Sequence, residues 1–424
     1  MEKIKIDSAL KVLFYLYIIF LPLQDIKLSL SATGKNFLLS DIIFLPLFLL
    51  WVFKSFFHNK SSTAKTDIFY PIILFLIVFS LSTIFSKNYL RSSFDLVGLI
   101  YLILLFLLSV NVLKDEKIIF TSIKLWVMTA LSVIFIGLFA FLISTITSDY
   151  NSNSFLMYDP TKKSLIPFPR INSTFQTQEM LISYMIVTMG FLFILSEKNQ
   201  FWLSKIPVVI LGVILALSRG LIGFVATWIL CIYIKKGNIL RRFILIPSIA
   251  VFLSLLISIY ISSKWIIFPF NLEIDEQSER LKMSFGISPG QREIFNKTAI
   301  EMWKDNPLLG VGPGEFTYQF KNYANSDMYR NSWNVLGKIT EVDPHSTYYG
   351  ALSETGVLGF LSIIFLFIKV LYQVSKYISD KTVFYLFASL VGLLVNGFIS
   401  DILMFRHLWL LLGFLYAYLL LEKQ

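Results

Sequence analysis

Residues 94–112 read FDLVGLIYLILLFLLSVNV, with Asp95 the one charge among nineteen side chains, and after the turn LKDEK a second apolar run covers residues 118–146. A bilayer core about 30 Å thick is crossed by roughly 20 apolar residues of α-helix. Both runs reach that length, and helices apolar on every side need either a very large protein core or lipid around them. Composition decides between the two. Of the 424 residues 56% are hydrophobic and 15% charged, against about 25% charged in an average soluble domain. A chain of this length cannot enclose so much apolar surface, since even a 300-residue domain hides only about three quarters of what its unfolded chain exposes.

Ten further runs lie at residues 10–23, 37–53, 69–85, 180–195, 206–217, 221–234, 243–261, 348–372, 383–398 and 402–421. The expected fold class is an all-α polytopic membrane protein of about twelve transmembrane helices, one integral domain over residues 1–424. The first run, with Lys3 and Lys5 ahead of it and Ser31 and Ala32 behind, has the outline of a signal peptide, but the orientation works better if it stays. Lys and Arg in alternate connections then number 17 on the side of the termini and 5 in the short connections opposite, which places both termini in the cytoplasm. Much of the net charge of +10 is this topological bias, so no nucleic-acid partner is expected.

Two outward segments exceed simple connectors: residues 147–179, and the extracytoplasmic loop 262–347 between spans nine and ten. Long segments of this kind are usually functional. The second holds nine basic and eleven acidic residues, so its positive charges must be argued singly. Within it QREIFNKTAIEMW, residues 291–303, sets Ile294, Phe295, Ala299, Ile300, Met302 and Trp303 mainly on one side of a helix that lies on the membrane surface or on the bundle. The lone Cys231 sits in an apolar run, and the histidines are only His58, His345 and His407. No metal site and no cofactor is expected from that inventory.

Arg219, in Leu217-Ser218-Arg219-Gly220, interrupts an apolar stretch into pieces of 12 and 14 residues. A charge near membrane depth costs a few kcal/mol on insertion scales and marks a functional site; the alternative is a turn-capping arginine that snorkels to lipid phosphates. Arg292 follows Ser288-Pro289-Gly290 in the first turn of the proposed surface helix, where a guanidinium fork and free N–H groups suit an anion, although a solvated surface charge reads equally simply. NPLLGVGPG, residues 306–314, lacks the order of a nucleotide loop and reads as a helix stop with a tight turn. His345, after Asp343-Pro344 at the start of span ten, is the candidate proton acceptor, with Ser346 or Asp343 capping the new helix. Glu354 would lie about 13 Å further along that helix and needs a partner, for which the arginines are candidates. Arg170 heads the segment entering span six as a third arginine.

Together Ser218-Arg219-Gly220, Gln291-Arg292, NPLLGVGPGEF and PHSTYYGALSETGVLG resemble the O-antigen ligase and polymerase superfamily of bacterial envelope glycosyltransferases, over about residues 170–359. The residue after the histidine, often Asn in that family, is Ser346 here. The resemblance implies a twelve-helix enzyme of the bacterial plasma (inner) membrane that takes a glycan from undecaprenyl pyrophosphate at the outer face. A ligase delivers it to lipid A-core, and a polymerase to another carrier-linked glycan. The family's essential arginines and histidine carry over to Arg219, Arg292 and His345 as catalytic residues, with Arg170 and Glu354 as further substrate-binding candidates. Pyrophosphate leaves readily, so its developing charge needs guanidinium groups and no metal. Two other classes stay open: a secondary transporter, for which the short Gly-interrupted pair at spans seven and eight speaks, and a glycolipid-binding subunit.

Overall fold

The computed structural model describes residues 2–24, 27–29, 36–57, 68–147, 154–157, 169–234, 271–274, 281–284, 291–324 and 342–422. Thirteen α-helices lie among them. Eleven correspond to apolar runs of the sequence: α1 (Glu2–Phe20), α2 (Leu39–Phe57), α3 (Phe69–Ile84), α4 (Tyr89–Val112), α5 (Glu116–Thr147), α6 (Gln178–Lys198), α7 (Ile206–Ala216), α8 (Leu221–Ile234), α11 (Thr347–Ser375), α12 (Lys381–Asn396) and α13 (Arg406–Leu421). The run at 243–261 lies outside the described residues. The other two helices, α9 (Gln291–Asp305) and α10 (Phe316–Tyr323), form the core of a cap. Three two-stranded antiparallel pairs complete the list, including β3 (Leu156–Met157) with β4 (Arg170–Ile171).

Helices α2, α4, α5, α6 and α11 are long and apolar enough to cross a membrane; α3, α7 with its preceding 3-10 turn, α8, α12 and α13 are shorter and apolar. Their surroundings sort them. The apolar window of α6 is 89% buried, so this helix is the centre of the bundle, packed against α5, α7, α8 and α12. That of α2 is 17% buried, and Ile42, Leu45, Leu49 and Phe53 form an exposed apolar stripe at helical spacing. Such a stripe suits a face turned to lipid. In the interior, aromatic packing is dense: Trp126 of α5 stacks on Tyr184 of α6 at 4.6 Å and donates its indole N–H to Thr188 Oγ1 at 3.1 Å.

The two ends of the bundle differ. At the end where α1 begins, Lys54 pairs with Asp7, Lys11 with Asp115, Lys198 with Glu116 and Lys381 with Glu197. Such exposed pairs add little stability, but they gather the lysines at one end. At the other end Arg406 pairs with Asp41 at 2.7 Å and donates to Tyr101 Oη, tying α13 to α2 and α4. The cap sits at this second end.

Helix α9 lies on the bundle, against α11. Ile294, Phe295, Ala299 and Met302 point into a small core shared with Phe316 and Phe320 of α10, as their spacing predicts. The loop leaving α9 does more than turn the chain. The sequence reads residues 348–372 as one continuous span, whereas α11 departs from helical geometry at Gly356 (φ 67°, ψ −169°). A regular helix would bond Val357 N–H to Ser353 O and Leu358 N–H to Glu354 O. Instead Val357 and Leu358 donate to Pro307 O and Leu308 O, while Val311 and Gly312 donate to Ser353 O and Glu354 O, at 2.9–3.3 Å. Loop backbone has replaced helix backbone on both sides, so no polar group is orphaned. Ser82 Oγ of α3 donates to Leu309 O and Glu354 O at the same seam. A Cβ at Gly310 would strike the Glu354 backbone, and one at Gly356 the Leu308 backbone.

The backbone region of Gly356 is open essentially to glycine alone. Gly356→Ala is expected to cost about 2 kcal/mol or more, whereas Gly98→Ala on α4, which meets open space, should be level or slightly stabilising because Ala is the better helix former. Thermal unfolding of both variants in detergent checks this.

Candidate functional site

The start of α11 is held on the connection between α12 and α13. Ser346 is the N-cap, accepting from Tyr349 N–H and donating its hydroxyl to Gly397 O. Thr347 N–H donates to Gly397 O at 2.8 Å, Thr347 Oγ1 to Ser400 O and Asp401 Oδ1, and Ile402 N–H to Thr347 Oγ1. His345 therefore stands one residue ahead of the cap, not within the helix. Its φ of 49° is unusual for a residue with a side chain, and its backbone N–H is held by Asp343 Oδ1 at 3.1 Å. Over-determined strain of this kind recurs where a side chain must be aimed. The half-buried imidazole lies against Phe295 of α9, ring centroids 5.6 Å apart.

Arg219 sits on the elbow between α7 and α8. The elbow is sharp because Leu217 takes a left-handed conformation (φ 45°) and Ser218 Oγ accepts Gly220 N–H. A Cβ at Gly220 would come within 2.9 Å of Asn396 Oδ1, so the elbow presses on the last turn of α12. Asn396 is fully buried and donates to Ser183 Oγ of α6. The next residue is Gly397, whose carbonyl holds Ser346 and Thr347. The half-buried Arg219 and His345 thus flank the same end of α12.

Arg170, also half-buried, lies on β4, which packs against α7. Its strand is anchored just downstream: Ser173 Oγ donates to Val133 O, Thr174 Oγ1 to Pro22 O, and Asn172 Nδ2 to Phe175 O. Arg292 is the second residue of α9, one helical turn before Phe295; its side chain lies outside the described residues. The structure therefore gathers the chain positions of His345, Arg219, Arg170 and Arg292 at one end of the bundle.

Glu354 is engaged differently. Its carboxyl oxygen accepts the backbone N–H of Phe316 at 3.2 Å, at the start of α10. Asp401 is a residue that motif spacing did not single out. It heads the last apolar run, where a carboxylate next to DILMFRH was the available signal. Burial, and then the Asp343 carboxylate, push its carboxyl up to about 7, against the opposing effect of Leu403 N–H and the Thr347 hydroxyl. His407 is buried between Tyr184 and Phe405. Among the described residues no group of three or more His, Cys, Asp or Glu side chains is arranged to hold a metal ion.

Residues 206–364 match the family model described as O-Antigen ligase. This segment runs from α7 through the Arg219 elbow, the cap and His345 to the break in α11. That model describes a domain shared by O-antigen ligases and polymerases, and the chain is similar to it over this segment. No curated protein matches the chain.

The unfolded chain gives up the Asp401 proton near 3.8, whereas the folded one keeps it up to about 7. Across that window the folded state binds more protons and loses stability as pH rises, and above it the dependence is level. Asp401→Asn removes this contribution. The detergent melting temperature of the wild type should fall between about pH 4 and 7 by more than that of the variant; parallel curves would contradict it.

Proposed function

We propose that the chain is a metal-independent, inverting glycosyltransferase that moves a glycan from undecaprenyl pyrophosphate to a hydroxyl of lipid A-core at the outer face of the plasma membrane. The observation that carries this reading is the meeting at one bundle end of the elbow bearing Arg219, the helix bearing Arg292 and the strained turn bearing His345, within a segment similar to O-antigen ligases. The gathering of lysine ion pairs at the opposite end, with the 17 to 5 bias of the sequence, supports cytoplasmic termini and an outward-facing site.

In the proposed reaction the acceptor hydroxyl attacks the anomeric carbon from the face opposite the phosphate. The new C–O bond forms as the bond to pyrophosphate breaks, and the hydroxyl proton passes to the imidazole of His345. The bonding electrons leave on the pyrophosphate, where Arg219 and Arg292, with Arg170 beside them, take up the charge through planar two-pronged contacts. Direct displacement of this kind inverts the anomeric centre. The partners are the carrier-linked donor, the acceptor glycolipid and the surrounding lipid.

Four measurements on purified protein test the reading. His345→Ala should lose about 10²-fold or more in rate while donor binding persists; wild-type turnover would remove the base. Arg219→Lys and Arg292→Lys keep the charge but lose the fork, so both should bind the donor more weakly and react more slowly. Transfer should continue in chelator, and an activity restored only by Mg²⁺ or Mn²⁺ would refute metal independence. Offering lipid A-core and carrier-linked glycan separately distinguishes ligase from polymerase, since product appears with one acceptor only.

A further inference from the structure

Glu354 stands on the last turn of α11 before its break, thirty-eight residues from the amide it holds. Helix α10 starts with free N–H groups that need acceptors. The residue at its N-cap, Glu315, supplies no side-chain cap; its Oε2 instead accepts from Gln319 Nε2. The acceptor comes from Glu354 on another helix, whose Oε1 takes the Phe316 N–H at 3.2 Å. From there the contacts run without interruption toward the site. Phe316 packs on Phe320, Phe320 on Phe295 at 5.6 Å, and Phe295 on His345 at 5.6 Å. Helix α9, which carries Phe295, also carries Arg292.

We infer that Glu354 is a positioning residue: by capping α10 from α11 it sets the height of the cap, and so the seat of Phe295 on His345, without touching substrate. This rests on the reading of His345 and Arg292 as site residues for its effect on rate, but not for its effect on the cap. An amide oxygen caps a helix nearly as well as a carboxylate, whereas a methyl group does not. Charge is therefore dispensable at this position and the acceptor is not.

The experiment compares Glu354→Gln and Glu354→Ala in nanodiscs, without substrate, by amide hydrogen exchange, and then by transfer kinetics. Glu354→Ala should raise exchange at least tenfold across residues 316–323 and lower kcat/KM at least tenfold. Glu354→Gln should stay within threefold of wild type in both. If Glu354→Ala does not fold, Glu354→Asp, whose shorter side chain withdraws the oxygens, should show the exchange change in reduced form. Two results would overturn the inference: Glu354→Gln losing activity as Glu354→Ala does while residues 316–323 keep their protection, which would make the carboxylate a substrate contact, or Glu354→Ala altering neither measurement. A chain inactive on carrier-linked glycans would defeat the proposed function and leave the exchange result to decide this one.

Discussion

The exchange of backbone hydrogen bonds between residues 307–312 and α11 is the constraint on which the site depends. An unpaired amide or carbonyl in hydrocarbon costs several kcal/mol, so a helix break near membrane depth survives only if another segment repairs it. Here the repair is complete, because the two donors and two acceptors released around Gly356 all find loop partners. The loop is therefore not a passive connector between α9 and α10. It is the piece that fixes the cap to the bundle, and the glycines at 310 and 356 are there because two backbones must approach more closely than any side chain allows.

Much of this was legible in the sequence, and the division between legible and hidden is physical. Apolar runs set eleven helices because lipid rewards apolarity along the chain, a one-dimensional property. The short pieces either side of Arg219 predict a break, and Leu217 with Ser218 supplies it. The facing of Ile294, Phe295, Ala299 and Met302 follows from helical spacing. By contrast, nothing in PHSTYYGALSETGVLG says that the helix opens at Gly356, since the bonds that replace its own come from a loop some fifty residues earlier. Glu354 illustrates the same point. Its acidic side chain needs a partner, and arginines are the candidates by type, yet the backbone amide at the start of α10 supplies one. Asp401 was hidden for a further reason: its significance lies in meeting Thr347 and Asp343 across two helices, which no local pattern encodes.

The arrangement of helix ends adds an electrostatic layer. Helices α6, α8, α11 and α13 all begin at the end that holds the cap, where α12 ends beside them. Each N-terminus carries roughly half a positive charge, but α1, α3, α5 and α7 also end here and offset most of it, so the positive potential is local to the individual N-termini. Asp343, Asp401 and Asp41 oppose it at individual points, two of them through backbone amides and one through Arg406. In the proposed reaction an anion at this end is met by individual helix N-termini and by the guanidinium of Arg219.

That the histidine turn and the cap belong to different structural pieces has a consequence for how the site can be loaded. The turn at His345 is bound to the bundle through Ser346, Thr347 and the α12–α13 connection, a set of short bonds between helices that are themselves packed on α6. Helix α9 is bound to the bundle by its own packing on α11, by the contact of Phe295 with His345, through the loop seam and through α10. In the proposed reaction a lipid-linked donor comes from the membrane with its glycan above it, and the site has to admit both. In that reading His345 is held by the bundle and Arg292 by the cap, so a displacement of the cap would carry Arg292 and Phe295 with it and leave the turn at His345 bonded to the α12–α13 connection.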